Sequence, residues 1–281
     1  MSPTDTTPQK IHHLNCGTMC PLGERLMQGE GSLFGTGRIV AHCLLVEGAE
    51  GLVLIDTGFG TGDIARPRTL GTPFNLAIRP QLIESETALA QVKALGFEPG
   101  DVRHIIATHL DVDHAGGLPD FPEAEVHVLS VERDAALDPS LRDRARYPKP
   151  HIAHGPRWAP HEPGGDHWHG FESIRVLPGS GDEILMIPLK GHSAGHSGVA
   201  VRRGDGWLLH CGDAYFSRHE MQTPRECPPG LRAFQSLMQA DGKARHENQE
   251  RLRELAATHG DEVELICAHD AVTFDEAAAT A

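Results

Sequence analysis

The chain is poor in aromatic residues, which make up 5% of its 281 positions. Aliphatic side chains must therefore fill most of any core, and at 39% apolar content there are enough of them. Long hydrophobic runs are missing as well. The apolar stretches end well short of the ~20 residues a membrane-spanning helix needs. Residues 1–10 are polar and lack the apolar centre of a secretory signal, so the expected location is the cytoplasm, with no membrane partner. Positive charge is scarce: 25 Lys and Arg face 39 Asp and Glu, for a formal charge of −14. That balance argues against a nucleic-acid partner, whose phosphates call for clustered basic residues. Paired C-x-x-C spacing is absent too. Cys16, Cys20, Cys43, Cys211, Cys227 and Cys267 read as buried or idle thiols, with a metal or redox role for Cys16 and Cys20 the lesser alternative.

Histidine is what the chain has in excess, with nineteen residues. It is the commonest metal ligand near neutral pH, so the count points to a metal site without locating it. Strand-like runs at 38–46 and 51–55 flank a turn at Glu47-Gly48-Ala49-Glu50 and predict a hairpin. Further strands are expected at 103–108, 125–129, 172–177, 183–188, 198–202, 207–211 and 262–267, and helices at 84–95, 130–137 and 244–257. The order is strands then helices, twice, which suggests two halves, each a sheet with helices on its outer face. Residues 138–170 carry six prolines and five histidines and read as a loop-rich insertion within one domain spanning 1–281. A loop of that kind either covers a binding site or is a disordered excursion. Trp158 and Trp168 favour packing.

The chemistry concentrates where an apolar strand runs into His109-Leu110-Asp111-Val112-Asp113-His114. Four donor side chains within six positions are too many for one ion to use from so tight a loop, and two ions sharing it is the natural solution. Gly116 and Gly117 let the chain turn afterwards. Three later signals share the pattern of a ligand-type residue at the end of a buried strand. They are Gly191-His192-Ser193-Ala194-Gly195-His196, His210-Cys211-Gly212-Asp213 and Ala268-His269-Asp270. Each alone is weak, and their order together is specific.

On these residues, from Leu54-Ile55-Asp56-Thr57-Gly58 to His269, the chain resembles the metallo-β-lactamase-fold hydrolase superfamily, in its lactonase-like branch. The resemblance implies an α+β fold, an αββα four-layer sandwich with two divalent ions at one edge. It implies that His109, Asp111 and His196 hold one ion, that Asp113, His114 and His269 hold the other, and that Asp213 bridges. Asp56 would orient the site, and His192 would be structural rather than a ligand. The loop departs from the family pattern His-x-His-x-Asp-His, because Asp111 replaces the second histidine. Zinc is the expected metal, and a carboxylate there, which makes a harder, more anionic site, brings in manganese or iron as alternatives, unless Asp111 does not ligate. The flavodiiron branch carries a carboxylate at this place, but the chain lacks a flavin-binding domain, so its oxygen chemistry is not implied.

The expected reaction is hydrolysis of a lactone or carboxylic ester by a metal-bridging hydroxide, with Asp113 carrying a proton to the leaving group. Tyr215 is a candidate to hydrogen-bond the substrate, against a packing role. The alternatives are a phosphotriester hydrolase, a glyoxalase-II-like thioesterase and a non-catalytic metal-binding module. The expected partner is a small molecule, and monomer and homodimer both remain open.

Overall fold

The computed structural model describes residues 10–178 and 183–280. Among these described residues, twelve strands form two six-stranded sheets. The first holds β1 (Ile11–Met19), β2 (Ile39–Gly48), β3 (Gly51–Ile55), β4 (Val102–Ile106), β5 (Glu125–Leu129) and β6 (Arg157–His161), side by side in that order. The second holds β7 (Asp166–Trp168), β8 (Phe171–Arg175), β9 (Ile184–Pro188), β10 (Ser197–Arg203), β11 (Gly206–His210) and β12 (Val263–Ile266), again in chain order. The expected hairpin forms, with β2 and β3 antiparallel from Leu44↔Ile55 to Gly48↔Gly51. β3 to β6 run parallel, as do β11 and β12, so their carboxyl ends emerge on one side of each sheet.

Alternation along the strands explains the four layers. Leu44, Val46, Val53, Ile55 and Ile106 point towards Ile184, Met186, Val199, Val201 and Leu208, and this aliphatic set fills the space between the sheets. Burying each such side chain contributes about 1.5–3 kcal/mol. The intervening residues face outward. Leu45, Leu54, Ile105 and Val126 pack on Ala88, Val92 and Phe121, under the helix Ala88–Ala94. Leu185, Ile187 and Leu209 pack on Leu252 and Leu255 of the helix Gly242–His259. The result is the expected αββα sandwich. Among the described residues no helix is long and apolar enough to cross a membrane.

The expectation for 138–170 needs correction. The segment contains a helical turn, Lys149–Ile152, and supplies β6 and β7, the outermost strands of the two sheets. Pro160, within β6, suits its place, since an edge strand needs fewer backbone donors. Trp158 packs on the first core and Trp168 on the outer core of the second sheet. The helix Pro229–Met238 is not among those expected from the sequence.

Candidate metal centre

The ligand-type residues meet where strand ends converge. Asp56 follows β3 with φ of 55°, and its two oxygens accept from the Thr108 backbone N–H and hydroxyl, both at 2.7 Å. The same carboxylate accepts from His114 Nδ1 at 2.9 Å. It therefore fixes the end of the β4 segment and one imidazole of the next turn. Burial would push the Asp56 carboxyl up, but His114, with His210 and His109, outweighs it and holds the group below the usual carboxylate range.

Two groups of donors then face each other. His109, His192 and Asp213 form one, and Asp113, His114 and His269 the other. Asp213 stands between them. Its Oδ2 lies 3.7 Å from His109 Nε2 and 3.4 Å from His192 Nε2, while its Oδ1 lies 3.2 Å from His114 Nε2 and 3.0 Å from His269 Nε2. Asp113 Oδ2 is 3.7 Å from His269 Nε2. The imidazoles are tied from behind: His269 Nδ1 donates to the Val40 carbonyl at 2.8 Å, His114 Nδ1 to Asp56, and His109 Nδ1 meets the Thr108 hydroxyl at 3.0 Å. A ring that donates through Nδ1 presents the Nε2 lone pair forwards, as a metal ligand must.

The residues fit divalent cations. His109 Nε2, His114 Nε2 and Asp213 Oδ1 are all buried and have no hydrogen-bond partner. An unsatisfied buried polar atom costs about 1–3 kcal/mol, and three aimed into one space call for a common partner. A carboxylate with one oxygen towards each group suits two ions rather than one.

The two histidines of the Gly-framed loop exchange the places expected of them. His192 faces Asp213, whereas His196 is occupied at both nitrogens: Nδ1 donates to the Leu189 carbonyl at 3.1 Å, and Nε2 accepts from the Asp213 backbone N–H at 2.9 Å. His196 thus sets the height of Asp213 and does not face the donor groups. Gly212 permits this approach. It has φ of 51°, and a Cβ there would stand 2.7 Å from His196 Nε2.

Tyr215 also departs from expectation. Its ring is buried on the outer side of the second sheet, among Leu189, Cys211, Leu252 and Cys267, where burial pushes its phenol well up. The next residue, Phe216, is the one at the site, with ring centroids 4.7 Å from His269 and 5.9 Å from His192.

Asp111 lies beside the first group without belonging to it. Its Oδ2 is 3.0 Å from His192 Nε2 and 3.6 Å from His109 Nε2. Both oxygens are also taken by Arg146, whose Nε donates to Oδ1 at 2.8 Å and Nη2 to Oδ2 at 2.7 Å. Burial would raise the Asp111 carboxyl, but Arg146 and then His109 hold it well below its ordinary value. Arg146 Nη1 also donates to the carbonyls of His192 and Met238, so it braces the His192 loop. Glu132 does the same from the other side. Fully buried, it accepts from the Leu110 N–H, the Tyr147 hydroxyl, the Ser193 hydroxyl and the Gly195 N–H at 2.7–3.1 Å. Neither Arg146 nor Glu132 carried a sequence signal, because each stands among other charged residues, far along the chain from the loops it joins.

This arrangement has close counterparts. A family model described as the metallo-beta-lactamase superfamily matches residues 36–261. A probable metallo-hydrolase of Mycobacterium tuberculosis is 41% identical over 275 residues, covering 98% of this chain and 84% of that one. An N-acyl homoserine lactonase of Bacillus thuringiensis is 30% identical over 186 residues, 64% of this chain and 66% of that protein. Among solved structures, an N-acyl homoserine lactone hydrolase with the product N-hexanoyl-L-homoserine bound at its catalytic metal centre superposes with a TM-score of 0.72. It is 22% identical, with 96% of each chain covered, a likeness of fold. Strand order, converging donors and a matched region that takes in all but the last of them agree, and the chain belongs to the metallo-β-lactamase superfamily of metal-dependent hydrolases.

Proposed function

We propose that the protein is a two-metal hydrolase that opens a lactone or a carboxylic ester of a small molecule. The observation that carries this reading is Asp213, with one carboxylate oxygen on each donor group. In this reading His109, His192 and Asp213 hold one cation and Asp113, His114, His269 and Asp213 the other. Asp111, already paired with Arg146 and 3.0 Å from His192 Nε2, lends its charge to the first position rather than filling it.

Bound divalent cations supply Lewis acidity, which lowers the pKa of water to near neutrality and polarises a carbonyl. The chain's own groups do the rest. Asp113 has a half-buried carboxylate at the mouth of the site, with its Oδ2 3.7 Å from His269 Nε2, and is placed to pass a proton to the departing alkoxide. Phe216 walls the site beside His192 and His269 and keeps bulk water off that side. Arg146 and Glu132 hold the His192 loop against the His109 loop, so that the two halves of the donor set stay in register. The lactonase relatives support a lactone as substrate.

Phe216 favours a second reading. The ring at the site has no hydroxyl to donate to a leaving oxygen, so an ester with a good leaving group, such as an aryl phosphotriester, would not miss one. The test is a panel of N-acyl homoserine lactones, aryl esters, phosphotriesters and thioesters against protein reconstituted with zinc, manganese or iron. Lactones should give the highest kcat/KM. A clear preference for phosphotriesters would select the second reading, and no turnover of any class would defeat both.

A further inference from the structure

A second histidine group lies away from the catalytic centre, towards the other end of the same strand. His104 lies on β4 and His109 three residues past its end, so the two are roughly 16 Å apart along an extended chain. On β5, Glu125 is the cross-strand neighbour of His104, and His127 that of Ile106. His104, Glu125 and His127 alternate with Ile105 and Val126, which belong to the outer core, and so share the face turned towards the second sheet. β6 adds His161, opposite Leu129. The group is half-open: the side chain of His127 is 5% exposed, that of His104 19% and that of Glu125 45%.

We propose that His104, Glu125 and His127 form a second, separate site for a divalent cation of borderline softness, such as zinc, nickel or copper. Four donors placed about 2.1 Å from one centre stand about 3.4 Å apart. Here His104 Nδ1 and His127 Nε2 are 3.0 Å apart, His104 Nδ1 and Glu125 Oε2 3.7 Å, and His127 Nε2 and Glu125 Oε2 3.9 Å. Three donors thus already occupy the edges of one coordination shell, and the exposed side leaves room for water. The rings are already linked, His127 Nδ1 to His161 Nε2 and His104 Nδ1 to His127 Nε2, each at 3.0 Å, so a cation entering here takes the place of the proton shared by His104 and His127. The nearest cation on the adjoining strand does not compete for Glu125. Arg157 is its cross-strand neighbour but donates through Nη1 to the Glu123 carbonyl at 2.8 Å. Two imidazoles and one carboxylate match zinc, copper and nickel and discriminate against magnesium and calcium.

The test is metal content at equilibrium. Wild type, His104→Gln and Glu125→Gln are dialysed against the same micromolar free zinc, and zinc per chain is measured by mass spectrometry. Copper(II) titrated onto the zinc-loaded protein is followed by electron paramagnetic resonance. Wild type should hold about one zinc more than either variant, with nitrogen hyperfine lines on copper that His104→Gln weakens, while hydrolase activity stays within about twofold. The comparison does not depend on how many ions the catalytic centre carries. Equal zinc in all three proteins would overturn the proposal. So would a parallel fall in activity, because the lost ion would then belong to the catalytic centre. Glu125 is exposed, so its variant keeps the test open if His104→Gln fails to fold.

Discussion

β4 leads from one histidine group to another, and the two are built differently. In the catalytic centre the rings do not hold one another. Asp56, the Val40 carbonyl and the Thr108 hydroxyl orient them from behind, and Glu132 and Arg146 clamp the loops that carry them. In the ladder of His104, His127 and His161 the rings bond directly to each other, 3.0 Å apart at each link. The first arrangement leaves His109 Nε2, His114 Nε2 and Asp213 Oδ1 without partners inside a buried space. The second spends most of its lone pairs internally and stays half-open to solvent. A buried centre kept unsatisfied by its scaffold calls for a partner from outside, whereas a self-bonded, half-open group must give up a bond to take one.

Asp213→Asn should separate the two groups most sharply. It removes the shared charge from the catalytic centre, so metal affinity and hydrolysis should fall by at least about 100-fold, with no effect on the ladder. Near-normal turnover in this variant would refute a shared carboxylate. Glu132→Gln tests the scaffold. It places an amide where four donors converge and should cost about 3 kcal/mol, read from urea unfolding, together with a loss of kcat. A loss below ~0.5 kcal/mol would mean that the two loops hold their register without it.

Asp111→His comes next. Alone it leaves the Arg146 guanidinium buried without its partner, and should destabilise by about 3 kcal/mol. Combined with Arg146→Met, stability should recover and metal preference move towards zinc. An unchanged preference in the double variant would show that position 111 does not touch the metal. The smallest effect concerns pH. His127 is held to about 3 in the folded chain, against 6.5 for an ordinary histidine. The unfolded chain therefore binds a proton below pH 6.5 that the folded chain refuses, so this contribution is fully present above that pH and is lost as pH falls towards 3. The slope should be no more than ~1.4 kcal/mol per pH unit, and His127→Gln should flatten the acid side of the stability curve. An identical curve for the variant would mean that the ladder takes up protons as readily as an unfolded chain.

Several features of this molecule are local and were readable along the chain. The near-continuous apolar runs of β2, β3, β9 and β10 mark strands covered on both faces, because side chains on a strand change face at every residue. Donors at strand ends were visible because an apolar run that stops at His109, Asp213 or His269 has no packing reason to stop there. Other features were not local. His192 and His196 sit in the same Gly-framed loop, and only the path of that loop over Glu132 decides which ring faces Asp213. Gly195 lets the loop come that close, since a Cβ there would lie 2.6 Å from the Glu132 backbone nitrogen. Tyr215 and Phe216 are neighbours, and a rotation of one residue after Asp213 sends the phenol into the core and the phenyl ring to the site.

By itself, then, the sequence determined the layered α+β fold, the superfamily and the loop His109 to His114, because each rests on periodicity or on donors a few residues apart. Tertiary structure alone decided that His192 and not His196 joins the donor group, that Phe216 walls the site, and that Arg146 claims Asp111 across 35 positions. Those outcomes depend on which distant side chain reaches a buried charge first, and a buried charge must be met by whatever the fold brings beside it.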